Sequence, residues 1–152
     1  MENTIANFFV SLTNEEIARQ IANLINKYNY LYVRHNRFTI ITHIISYFVE
    51  IFGNQVVGCT GIIKENVNWS IIKHVCVEPK FRRKGIASKL INLAIQNCKT
   101  RYVYMIIREN NIASLCMANK LGFTIIKQEL SKDYYLMVVG KEIKHGTSCY
   151  NS

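Results

Sequence analysis

The chain is poor in the residues that interrupt or staple folds. Its one proline, Pro79, and its seven glycines are scattered. No Gly/Ser-rich or low-complexity stretch offers a domain linker, which argues against a multi-domain organisation. Over 152 residues this predicts a single globular domain, residues 1–152, long enough to bury a core. The five cysteines, Cys59, Cys76, Cys98, Cys116 and Cys149, form no CxxC pair and have no histidine at ligand spacing. That argues against a structural zinc, gives no metal site, and suits a reducing compartment. No apolar run reaches the roughly 20 residues needed to span a bilayer, and the amino terminus lacks the basic start and cleavage site of a secretory signal. A cytoplasmic protein with no membrane partner is the expectation. Acidic residues are scarce as well: ten Asp and Glu against nineteen Lys and Arg leave a net charge of +9. Such a balance favours an anionic partner, whether phosphorylated small molecule, nucleic acid or membrane surface.

What the chain has in abundance is apolar surface in helical and strand periods. Apolar residues make up 49% and charged residues 19%, a balance that argues against extensive disorder. SLTNEEIARQIANLI reads as a first helix: Thr13 and Glu16 form a capping box, Leu12 and Ile17 a staple, and Ile17, Ile21, Leu24 and Ile25 share one face. NFFV before it suits an edge strand. From Tyr28 to His43, aromatic and basic residues crowd without a clean period, which predicts loop or short helix. SYFVEIFGNQVVGCTGII gives two strands around a Gly53-Asn54 turn, and WSIIKHVCV a third, ending before Pro79. Gly85 to Lys99 reads as a core helix whose one wet side carries Lys89, Asn92, Gln96 and Lys99. RYVYMII is a further strand. NNIASLCMANKLG is a helix capped by asparagine with Gly122 at its left-handed end, and FTIIKQEL with YYLMVVGK makes a closing hairpin. The order predicts a mixed α/β sheet with helices packed on it.

One junction carries chemistry. The strand ending at Val77 runs through EPKFRRKGIAS into a helix whose first N–H groups lack intrahelical acceptors. With the positive end of the helix dipole, those donors make an anion site. Gly85 and Ala87 let a bulky anion approach the backbone, while Arg82, Arg83 and Lys84 add charge around it. A solvated charge run is the plainer reading of RRKG, but a basic run before a helix amino terminus opposes the dipole. The stretch therefore has the chemistry of a pyrophosphate cradle.

VCVEPKFRRKGIASKLI resembles the central motif of the GNAT N-acetyltransferase superfamily. In that motif Arg or Gln, two variable residues, Gly, a variable residue and Gly or Ala wrap the pyrophosphate of acetyl-CoA; Arg82, Gly85 and Ala87 hold the three defined places. NIASLCMANKLGF is similar to the family's second motif, an Asn-led helix ending in Lys-x-Gly-Phe, here Asn111, Lys120, Gly122 and Phe123. Element order extends the resemblance from about Tyr47 to Val139. It implies an α/β fold with a mixed, mostly antiparallel central sheet flanked by helices, and acetyl-CoA as cosubstrate. It also implies cofactor contacts from Arg82, Arg83, Lys84, Gly85, Ile86, Ala87, Ser88 and Asn111. Backbone contacts along the pantetheine arm fall to Val75, Cys76 and Val77, whose N–H groups also suit an oxyanion hole. The implied reaction is acetyl transfer to a primary amine, of a small molecule or a protein, by direct attack in a ternary complex. Superfamily members often dimerise, so a homodimer is a further implication.

The chain departs from the family at two places. The attacking amine must lose a proton, and related enzymes place Glu or His at positions that by motif register hold Ile71, Lys73 and Ile106 here. Lys73, desolvated beside other cations, is one candidate base. His74 is the other, although strand alternation sends it to the opposite face unless a bulge re-aims it. Glu50 and Glu109 are further options, acting through water. Many relatives protonate the leaving thiolate with a tyrosine at a position that holds Ala118 here. Cys116 lies about 200° around the helix from it and reads as a small buried apolar residue. These departures leave an alternative, a catalytically degenerate acyl-CoA-binding domain. KYNYLYVRHNRF interleaves aromatic and basic residues as single-strand nucleic-acid surfaces do, which is the least favoured reading. In the superfamily this segment borders the acceptor pocket, where an aromatic, cationic wall suits an acidic or aromatic acceptor.

Overall fold

The structure, a computed structural model, describes residues 11–31 and 33–145; NFFV, Tyr32 and Cys149 lie outside the described residues. Helix α1 (Asn14–Tyr28) starts where its cap dictates: the Glu16 amide donates to Thr13 Oγ1 and the Thr13 amide to Glu16 Oε2, each at 3.2 Å. Its apolar stripe, Ala18, Ile21, Ala22, Leu24 and Ile25, is buried against Val56, Cys59 and Cys76 of the sheet. The unpatterned stretch that follows contains a short helix, α2 (Arg37–Ile41), capped by the Asn36 side chain, and a single 3₁₀ turn at Ile44–Ser46.

Strands β1 (Tyr47–Phe52) and β2 (Gln55–Lys64) turn at Gly53, where φ is +60°, and β3 (Trp69–Val77) lies antiparallel to β2. A 3₁₀ turn at Pro79–Phe81 leads to α3 (Ile86–Gln96). Then follow β4 (Tyr102–Arg108), α4 (Ile112–Lys120) and the hairpin β5 (Thr124–Ser131) and β6 (Tyr134–Glu142). Among the described residues the sheet order is β1-β2-β3-β4-β6-β5, and the β3·β4 contact alone is parallel. Helices α1 and α2 pack on one face. On the other, Ile91 of α3 and Ala118 of α4 close with Phe123 over Ile72, Val103, Met105, Ile107 and Val139. The expected mixed, mostly antiparallel sheet flanked by helices is the architecture found. No helix among the described residues is long and apolar enough to cross a membrane.

Two irregularities position the site. The first is that β3 and β4 pair only over Trp69–Ile71 and Tyr102–Tyr104, although β3 runs on to Val77 and β4 to Arg108, so the sheet opens between their carboxyl ends. The second is a bulge in β3. Lys73 faces Gly61 and Cys76 faces Cys59, so His74 and Val75 together oppose Thr60, and His74 takes φ +58°.

Close packing ties the loop after β3 to the sheet, because a Cβ on Gly58 of β2 would stand 2.8 Å from Ile86 Cγ2 and 3.3 Å from Leu90 Cδ1. Helix α3 therefore sits flush on β2. A Gly58→Val substitution is expected to lower stability by about 1–3 kcal/mol through overpacking, read as a lower urea midpoint at unchanged slope. An unchanged midpoint would mean that the first turn of α3 yields freely.

Candidate active site

Between Val77 and Ser88 the chain turns its backbone outward. The Pro79–Phe81 turn is pinned by the Phe81 ring against Phe52, centroids 5.3 Å apart. Arg82 folds back, its Nε donating to the Val77 carbonyl at 2.8 Å while its guanidinium lies 5.6 Å from the centre of the Tyr28 ring. Lys84 lies over Phe81. Arg83 and Gly85 both have positive φ, +60° and +76°, the alternation that aims successive N–H groups at one concavity. Holding a non-glycine residue in that region costs about 1–3 kcal/mol. Among the described residues no side chain caps α3, and its ladder begins with the Lys89 amide donating to the Gly85 carbonyl at 3.0 Å. The amides of Ile86, Ala87 and Ser88 are the unpaired first-turn donors, and space above Gly85 is open, since an added Cβ would meet nothing within 4 Å. The residues fit a diphosphate: free amides, three flanking cations and no side chain in the way.

The opening between β3 and β4 continues this surface. At its closed end Trp69 stacks on Tyr102, centroids 4.8 Å apart. The Glu78 amide donates to the Val57 carbonyl at 2.8 Å, which sets the phase of the strand so that Val77 turns its backbone to the opening. The carbonyl of Val77 receives Arg82, and that of Val75 receives Asn29 Nδ2 of the α1–α2 connection at 3.4 Å. Cys76 is different. It pairs with Cys59 within the sheet, and its thiol, 4% exposed, points to the Leu24 carbonyl. Burial pushes that thiol up to about 11 despite the nearby Arg82 cation, so it is no nucleophile at neutral pH.

On the α1–α2 face the bulge brings Lys73 and His74 to the same side. Gly61 faces Lys73 across the pair, a Cβ on Gly61 would touch the Tyr47 ring, and Tyr47 Oη lies 2.6 Å from His74 Nδ1. The alternation expected for His74 is thus overridden. His35 meets His74 edge to face at 4.6 Å. The Asn26 side chain clamps His35 in place, donating to its carbonyl at 2.6 Å and accepting from its amide at 2.9 Å. Burial, then His35, then Lys73 hold the His74 imidazole down at about 4, and burial with Lys73 lowers His35 as well. Both rings are therefore neutral at pH 7. Burial raises the Tyr47 phenol, which keeps its proton. Ile106, 46% exposed, and Arg108 lie on the same face of β4.

Other residues named from the sequence stand apart. Glu50 pairs with Lys89 of α3 at 2.7 Å, and Glu109 Oε1 accepts from the Tyr135 amide at 3.0 Å, so both carboxylates have structural partners away from His74. Asn111 caps α4, its Oδ1 accepting from the Ser114 amide at 3.2 Å. Ala118 is 1% exposed in the α3–α4 core, whereas Cys116 is exposed, contrary to the buried position expected of it: α4 turns that side of its surface outward. Sequence reading missed the partners of His74, because Tyr47, His35 and Asn26 come from separate elements and carry no local motif. It also missed Asn29 and Arg108 at the opening.

Comparison with known proteins fits this geometry. Residues 14–123 match the acetyltransferase (GNAT) family. The chain is 27% identical over 109 residues to an N-alpha-acetyltransferase of Saccharolobus solfataricus, a match covering 60% of this chain and 62% of that protein. It thus spans about three-fifths of the curated relative's length. Its fold is similar to that of Ard1 from Thermoplasma volcanium, with a TM-score of 0.71 at 18% identity over 84% of this chain and 94% of that one. It is also similar to yncA of Salmonella typhimurium, solved with its cofactor acetyl-CoA, at a TM-score of 0.74 and 14% identity over 91% and 95% of the two chains. With more than half of its length matched, and with an outward-facing backbone cup at the start of α3, the chain belongs to the acetyltransferase (GNAT) family.

Proposed function

We propose that this chain is a single-domain cytoplasmic N-acetyltransferase that moves the acetyl group of acetyl-CoA to a primary amine by direct attack in a ternary complex. The observation that carries the reading is the backbone cup from Arg83 to Ser88, open above Gly85, at the mouth of the β3–β4 opening. The amides of Gly85, Ile86, Ala87 and Ser88, with Arg82, Arg83 and Lys84, hold the diphosphate of the cosubstrate. Its pantetheine arm lies along Val75 and Val77, taking the place of Asn29 on the Val75 carbonyl. The thioester supplies an activated acetyl group, and the Val77 amide on the edge of the opening suits the oxyanion that forms on its carbonyl.

The amine enters from the α1–α2 face, where His74 waits. With its proton on Nδ1, facing the Tyr47 oxygen 2.6 Å away, His74 has Nε2 left to accept. As the N–C bond forms and the C–S bond breaks, the amine nitrogen becomes strongly acidic and its proton passes to Nε2. That proton returns through water to the departing thiolate, since Ala118 offers no acid. A base held near 4 cannot strip an ammonium of high pKa before attack. It suits an α-amino group, with a pKa of about 8, better than a lysine of about 10.4. This agrees with the N-alpha-acetyltransferase relative. Lys73 adds positive charge beside the site and, after burial and His35, contributes to keeping His74 neutral.

Three outcomes follow. In a thermal-shift titration, coenzyme A at 100 times its Kd should stabilise the wild type by about 2.7 kcal/mol and leave a folded Gly85→Glu variant unmoved; equal shifts in both would place the nucleotide elsewhere. His74→Gln should lower kcat at least about 100-fold with the acetyl-CoA KM unchanged, whereas retained kcat would remove His74 from the chemistry. Because the folded His74 pKa is depressed, stability present above about pH 6.5 should be lost as pH falls toward about 4. The urea midpoint of His74→Gln should lack that portion of the fall, and an identical pH profile would contradict the buried, neutral ring. Tight coenzyme A binding without turnover on any amine would instead favour an acyl-CoA-binding domain that has lost catalysis, the reading that Ala118 motivates.

A further inference from the structure

Arg108 ends β4 on the α1–α2 face, across the opening from the bulged end of β3. Its guanidinium lies against two aromatic rings, 4.4 Å from the centre of Tyr134 at the start of β6 and 5.1 Å from that of Tyr30 in the α1–α2 connection. Tyr30 itself is 84% exposed, so its ring covers Arg108 instead of filling a core. Among the described residues, the Arg108 side chain makes one hydrogen bond, from Nη2 to the Tyr30 carbonyl at 3.4 Å.

No carboxylate among the described residues pairs with it. Glu65 is taken by the Tyr104 hydroxyl, Glu129 by Lys127 and Glu109 by the Tyr135 amide, while Asp133 in the β5–β6 turn makes no ion pair with it. Aromatic rings offer a guanidinium no acceptor oxygen, so beyond the Nη2 bond its donors, a fork that matches a carboxylate, have no such partner among the described residues. Across the opening Lys73 adds a second cation without an ion pair among the described residues, and His35 and His74 are neutral. The rim of the acceptor side is therefore a held guanidinium with no carboxylate partner among the described residues, in a positive field.

We propose that Arg108 is a specificity-determining residue that binds a carboxylate of the acceptor, so that this enzyme selects amines carrying an acidic group. The proposal rests on the amine-acetylation reading above. The carboxylate has two sources, an Asp or Glu side chain beside a peptide amino terminus and the α-carboxylate of a free amino acid.

The test is calorimetric titration of the CoA-loaded protein with peptide amides differing only in a Glu, Gln or Lys at the second position, and with free glutamate. Initial rates are measured on the same panel. The Glu peptide, or free glutamate if the acceptor is small, should bind about tenfold tighter than the Gln peptide. Arg108→Gln should erase the difference, and Arg108→Glu should reverse it in favour of the Lys peptide. A merely structural pin between Tyr30 and Tyr134 would weaken all arms alike. Should Arg108→Glu not fold, Arg108→Lys keeps the claim exposed, since it should retain part of the acidic preference that Arg108→Gln loses. Equal Glu and Gln affinities in the wild type, an acidic preference surviving Arg108→Gln, or no binding by any carboxylate-bearing arm would overturn the proposal. Absence of turnover across the panel would sink the transferase reading, while the binding order would still decide the role of Arg108.

Discussion

The parallel contact between β3 and β4 ends after three residue pairs, and the rest of the molecule is arranged around that release. A sheet that stayed paired to Val77 and Arg108 would pair those backbone groups with each other and close the opening. Each flank is held by its own neighbours instead. β3 is fixed by β2 and by the stripe of α1, while β4 is fixed by β6 along its whole length and by the α3–α4 core. Separately braced strands can part without either losing its ladder.

Local strain is concentrated where the opening needs it. Among the described residues, three that are not glycine have positive φ, and two of them, His74 and Arg83, lie at the bulge and in the cup. The first turns an imidazole onto the face already occupied by Lys73 and sets it against Tyr47. The second, followed by Gly85, points successive amides at a common centre. Neither conformation is favourable alone. Both persist because the surroundings over-determine them, with Cys76 locked to Cys59 beyond the bulge and α3 seated on Gly58 beyond the cup.

Much of this was legible in the residues. The capping box of α1, the turn at Gly53, the end of β3 before Pro79 and the left-handed Gly122 are local rules, and local rules were obeyed. The cup was legible for the same reason, since a strand, a basic glycine-containing loop and a helix are contiguous in the chain. The bulge was not, because period-2 alternation carries no mark of where it fails, and only pairing with Thr60 reveals it. The neighbours of His74 come from α1, the α1–α2 connection and β1, segments whose proximity is a property of packing. The Tyr28 to His43 segment had no period to read. In the fold its aromatic and basic residues are divided among different tasks: Tyr28 lies under Arg82, Tyr30 lies against Arg108, and Arg37 pairs with Glu15.

In the proposed function the amides opening α3 grip a diphosphate while the free edge of β3 guides what is attached to it. Amide nitrogen–proton chemical-shift mapping during a coenzyme A titration tests this most directly. The largest displacements are expected at Gly85, Ile86, Ala87 and Ser88, with a second group at Val75 and Val77 along the opening. Still resonances at those six positions, with displacements gathered around Arg34 and Arg37 or on the β5 edge, would contradict it.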